Sequence, residues 1–95
     1  MPTYELLVGS DNETHKLDPQ FIVDVLNEMQ VSSFTLLPGV GYWQGQREDT
    51  CSITLSGTEN RVWSIIRTLA RKLHQDAIAY HQVPDLQYYY NEDQL

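Results

Sequence analysis

The sequence predicts an α+β fold in which one antiparallel sheet carries both of its helices on a single face. Three observations predict it. Apolar residues recur at helical spacing in two separate segments, each opened by a capping residue. Short β-rich or alternating runs lie before, between and after those segments, giving the order β-α-β-β-α-β. No linker or low-complexity stretch interrupts that order, so a single domain over residues 1–95 is expected.

Residues 3–9 (TYELLVG) are a short apolar run ending at glycine, with Tyr4, Leu6 and Val8 on one face: a first strand. A polar loop follows, and Asp18-Pro19 opens the first helix. Asp accepts from free N–H groups there, and the missing N–H of proline costs nothing at the first helical position. Ile22, Val25, Leu26 and Met29 then recur at i, i+3, i+4 and i+7, one apolar stripe. Residues 33–37 (SFTLL) are β-rich and end at Pro38-Gly39, which predicts a second strand. Cys51, Ile53 and Leu55 alternate with Ser52, Thr54 and Ser56 in a third, closed by Gly57.

Thr58 caps the second helix, and Val62, Ile65, Ile66, Leu69 and Leu73 form its buried stripe. Arg67, Arg71 and Lys72 fall near its end, where the helix dipole favours cations. Residues 77–83 (AIAYHQV) predict a fourth strand halted by Pro84. Residues 86–90 (LQYYY) predict a short fifth edge strand, ahead of an acidic, frayed tail that completes 86–95. This is the split-βαβ, ferredoxin-like arrangement. Leu7, Thr35, Leu37, Ala77, Ala79 and Val83 alternate onto the sheet face without helices, and several are apolar. On so short a chain, that predicts a homo-oligomer in which another subunit covers the face.

Thirteen acidic against six basic residues give a net charge of -7. Such a balance excludes an ordinary phosphate-backbone binder of nucleic acid and a polybasic membrane anchor. The charge is uneven: residues 59–75 carry +3 and the remainder -10. That helix is either a cationic strip for an acidic ligand or neighbouring subunit, or a solvated face whose cations suit the dipole. The single cysteine, Cys51, allows no internal disulfide. No apolar run approaches the roughly 18 residues of a membrane span. With no signal-peptide pattern at the start, a cytoplasmic location is the expectation.

The unusual segment is residues 38–50 (PGVGYWQGQREDT), with three of the five glycines, a Tyr-Trp pair and Arg47 beside two acids. As a thirteen-residue loop it exceeds the usual hairpin connection. Its glycines permit close backbone approach, Tyr42 and Trp43 can stack on a planar ligand or anchor a partner, and Arg47 can pair a phosphate or carboxylate. The alternative is a long twisted hairpin whose aromatics pack on the sheet. His15, His74 and His81 share no metal-ligand spacing, Cys51 follows a buried strand face, and no Ser-His-Asp set can be assigned. No metal site and no catalytic residue is therefore expected. Tyr88, Tyr89 and Tyr90 read as edge packing or an interface.

The order of elements, with Phe34-Thr35-Leu36-Leu37 leading into Gly39, Gly41 and Gly45, an acidic exit at Glu48 and the SITL strand, resembles the PII-like superfamily. That superfamily includes nitrogen-regulatory PII proteins, carbon-related PII-like proteins and CutA relatives. The resemblance implies a homotrimer with small-ligand sites, often for adenine nucleotides, in clefts between subunits, and a loop that reaches a partner protein. It places Thr35, Gly39 and Gly41 where strand and loop base approach a nucleotide. Tyr42-Trp43-Gln44 and the turn His74-Gln75-Asp76 depart from the basic and glycine-containing phosphate patterns of the nitrogen-regulatory members. The expected function is a non-enzymatic, oligomeric regulatory or binding protein that engages a ligand or partner through Thr35, Gly39, Gly41, Tyr42, Trp43, Arg47 and Glu48. The alternatives are an acidic protein-interaction module without a small ligand, and a small dimeric enzyme using His81 or His74.

Overall fold

A computed structural model of the chain describes residues 1–91. Its elements run β1 (Thr3–Gly9), α1 (Pro19–Glu28), β2 (Phe34–Trp43), β3 (Gln46–Ser56), α2 (Glu59–Lys72) and β4 (Ala79–Val83). The four strands form one antiparallel sheet in the order β2-β3-β1-β4. This is the expected α+β, ferredoxin-like architecture.

Both helices start where their caps place them. The Asp18 carboxylate accepts from the N–H of Gln20 at 3.0 Å, and the Thr58 hydroxyl from that of Arg61 at 3.2 Å. The apolar stripes of α1 and α2 close over Tyr4, Leu6 and Val8 of β1 and Cys51, Ile53 and Leu55 of β3 in one core cluster. Each of those strand residues is buried while its neighbours face the other side, as strand pleating requires. The opposite face stays open. Across it runs a row Leu37–Ser52–Leu7–Ala79, and beside that row Thr35–Thr54–Glu5–His81. Leu7 and Leu37 are exposed there.

Three expectations need correction. Residues 38–50 are not a loop: β2 and β3 continue through them, paired from Phe34↔Leu55 to Trp43↔Gln46. The connection is Gln44-Gly45, with φ of 50° and 80°, the two positive values of a type I′ hairpin turn. Pro38 is tolerated because β2 is an edge strand, where one side of the backbone needs no partner. β4 begins at Ala79 and not at residue 77, since the chain leaves α2 through His74 at φ 52° and pairs with β1 only from Leu7↔Ala79 onward. Ile78 turns into the core.

Finally, residues 86–90 form no strand. Pro84 stops β4, and the Leu86 N–H donates to the Thr3 hydroxyl at 3.4 Å, so the segment crosses the sheet end instead of extending its edge. The expected tail falls largely on residues 92–95, outside the described residues.

Candidate functional site

At the end of the sheet where β2 begins and β3 finishes lies a cavity of about 670 Å³. Five segments build it: Met1, residues 30–35 leading into β2, residues 54–56 ending β3, Gly57, Thr58, Arg61 and Ile65 at the start of α2, and Leu86 with Tyr88 from the C-terminal segment. Its size is within the range of small-molecule sites. The lining is rich in hydroxyls over an apolar floor that includes Phe34, Leu55 and Ile65. The Thr3 and Ser56 hydroxyls hydrogen-bond each other at 2.8 Å, which fixes one end of the wall. At the other, the Arg61 guanidinium donates to the Met29 carbonyl, bridging the end of α1 to the start of α2.

The residues picked out by the sequence spread along the β2–β3 ribbon. Thr35 lines the cavity and sits cross-strand from Thr54. Gly39 faces Thr50 with open space around it, and Gly41 faces Glu48. Trp43 pairs with Gln46 at the tip, and Tyr42 pairs with Arg47 on the reverse face. Thr35 and Trp43 are eight residues apart on one strand, about 26 Å at the usual rise, so one small ligand cannot span them all. The Glu48 carboxylate lies over Gly9: a Cβ there would come within 2.6 Å of it.

The last row of the ribbon that has a third strand is Gly39–Thr50–Gly9. Beyond it the hairpin stands alone for four residue pairs, about 13 Å, as a two-stranded arm. Tyr42 is 72% and Trp43 59% exposed on it. The alternative reading of this segment as a hairpin describes its backbone; its aromatics do not pack on the sheet.

Two histidines sit on carboxylates. His81 lies 2.7 Å from the Glu5 carboxylate, which also accepts from the Ser52 hydroxyl at 2.6 Å. The Ser52 bond foremost, with that of His81, holds Glu5 below its ordinary value. His74 lies 3.1 Å from Asp11. Partial burial pushes Asp11 up, but the N–H groups of Glu13 and Thr14 together with His74 outweigh it and leave the carboxyl lowered. Burial raises the Cys51 thiol, away from the reactive thiolate. Among the described residues, no group of three or more His, Cys, Asp or Glu is placed to hold a metal ion. Among the described residues, no helix is long and apolar enough to cross a membrane.

Most of the cavity wall was not singled out by the sequence. Ser32-Ser33 and the polar phase of β3 (Thr54, Ser56) are visible as hydroxyl clusters, but only the β2–β3 pairing unites them. Leu86 and Tyr88 reach the wall because residues 84–91 turn back, and Arg61 because its side chain folds toward Met29.

The sheet order and the two helices on one face are a fold shared with PII-like and CutA proteins of known structure. Among solved structures, the chain is similar to a DUF3240 family protein from Shewanella baltica, at 17% identity and a TM-score of 0.64, covering 96% of this chain and 97% of that one. It is similar to CPII, a nitrogen regulatory PII-like protein from Thiomonas intermedia bound to ADP, AMP and bicarbonate, at 13% identity and a TM-score of 0.60, covering 94% and 98%. CutA1 from Oryza sativa is similar at 12% identity and a TM-score of 0.57, covering 94% and 84%. No protein-family model matches the sequence, and no curated protein matches it.

Proposed function

We propose that the chain is one subunit of a cytoplasmic, non-enzymatic regulatory homo-oligomer that binds a small ligand in the cavity beside β2. The observation that carries this reading is the cavity itself: ligand-sized, lined by Thr35 and its hydroxyl neighbours, and placed at the base of the β2–β3 ribbon. An adenine nucleotide is the ligand class, supported by the shared fold with the ADP- and AMP-bound CPII protein. A trimer is the assembly that the resemblance to PII-like proteins implies. The open face supports a covering subunit, because the row Leu37–Ser52–Leu7–Ala79 leaves leucines in water unless another chain buries them.

Within this reading, Thr35 contacts the ligand, whereas Gly39 and Gly41 lie further along β2, outside the cavity wall. The arm beyond them, with Tyr42, Trp43, Arg47 and Glu48, is the contact for a protein partner. A protein-interaction role without any ligand is the second reading, favoured by the exposed Tyr42 and Trp43 alone. Light scattering of the purified protein, followed by thermal melts with ADP and AMP, separates the two. An oligomer whose melting temperature rises with nucleotide supports the first reading. An oligomer indifferent to nucleotide favours the second, and a monomer removes the trimer.

A further inference from the structure

The cavity beside β2 carries charge of one sign. In a chain of net charge -7, no Asp or Glu among the described residues lines it, and its one charged side chain is Arg61, with the Met1 end of the chain also on the wall. Glu59 shares the first turn of α2 but is not part of the wall. Among the described residues no carboxylate pairs with Arg61, since the ion pairs present all involve His74 or His81. Its charge meets only a neutral carbonyl, that of Met29. This bond uses one of the five N–H donors of a planar guanidinium and holds the group at the cavity wall. The Thr58 hydroxyl accepts from the Arg61 N–H, which leaves its own O–H to donate. Ser32, Ser33 and Thr54 add rotatable donors.

We infer that Arg61 is the specificity-determining residue of this cavity, selecting a ligand by an anionic phosphate or carboxylate group. This rests on the reading of the cavity as a ligand site and adds to it the charge of the ligand and the residue that reads it. A guanidinium already held in place makes short, charge-assisted bonds to such a group without first being ordered. The apolar floor at Phe34 and Ile65 takes the body of the ligand. Arg47, the arginine first associated with anion binding, lies outside the cavity on the arm, opposite Tyr42.

The test is a set of thermal melts with adenosine, AMP, inorganic phosphate and acetate, each anion balanced by chloride at equal ionic strength. The expected result is a rise of several degrees with AMP and about none with adenosine, with Arg61→Gln abolishing the AMP shift and Arg61→Lys keeping part of it. Phosphate or acetate alone giving the larger shift identifies which anion is read. Equal shifts from adenosine and AMP in the unmodified protein overturn the inference, and that comparison needs no variant to fold. An AMP shift that survives Arg61→Gln overturns it too. If simple anions shift the protein and nucleotides do not, the nucleotide reading fails while Arg61 stands; if no compound shifts it, both fail.

Discussion

Beneath the helices, the β2–β3 pair sets Leu36 and Phe34 beside Ile53 and Leu55, against the core; a few residues further along, the same pair holds Val40, Tyr42 and Trp43 in solvent. Backbone pairing, pleat and alternation are the same in both halves. What changes is cover. β1 reaches no further than Gly9↔Thr50, and beyond that row the ribbon has neither a third strand nor a helix to bury its side chains. The base of the sheet therefore holds the fold together and walls the cavity, whereas the arm contributes little to stability and is free to serve contact.

The largest break in that contrast comes from the base. Truncating Leu6 or Ile53, both fully buried, to Ala is expected to cost about 2–5 kcal/mol in urea unfolding. That is a large share of the roughly 5–15 kcal/mol typical of a small domain. At the turn, Gly45→Ala places a Cβ on a backbone at φ 80° and is expected to cost about 1 kcal/mol, read by the same unfolding curves. Along the arm, Tyr42→Ala and Trp43→Ala are each expected to fall within about 0.5 kcal/mol of the parent. Arm truncations as costly as those of the core would show that another surface buries the arm.

The smallest effect is confined to acid. Glu5 is held below its ordinary value of 4.5 and Asp11 below 3.8, so their contributions are present above those values. They are lost as pH falls through the lower, folded-state values. Melting temperature against pH is expected to decline more steeply below about pH 4 for the parent than for Glu5→Gln, with the two curves converging at lower pH. Parallel curves would mean that the Ser52 and His81 bonds add nothing.

How much was legible from residues alone follows the same division. The capped helices at Asp18-Pro19 and Thr58, and the alternation of residues 51–56, carry their structural cause locally, and the fold could be read from them. The arm could not. Pro38 and three glycines read as loop signals, yet an edge strand tolerates proline, and Gln44-Gly45 supplies the positive φ values that a tight turn needs. LQYYY has the composition of a strand, but Pro84 and the bond from Leu86 to Thr3 draw it across the sheet end. For the site, Thr35 was legible through its strand. Arg61 was legible only as one cation of the strip over residues 59–75; its particular place was not, because only the approach of the end of α1 to the start of α2 gives its guanidinium the Met29 carbonyl and a position on the cavity wall.

The central claim is that the base of the sheet binds an adenine nucleotide beside β2. The most direct measurement is the melting temperature of the purified protein with and without about 1 mM ADP. At a hundredfold excess over its dissociation constant, a ligand bound only by the folded state stabilises it by about 2.7 kcal/mol. For a chain of this size, each kcal/mol moves the melt by roughly 4–8 °C. At that excess a rise of roughly 10–20 °C that persists in the Tyr42→Ala and Trp43→Ala variants is the predicted result; an unchanged melting temperature would contradict the claim.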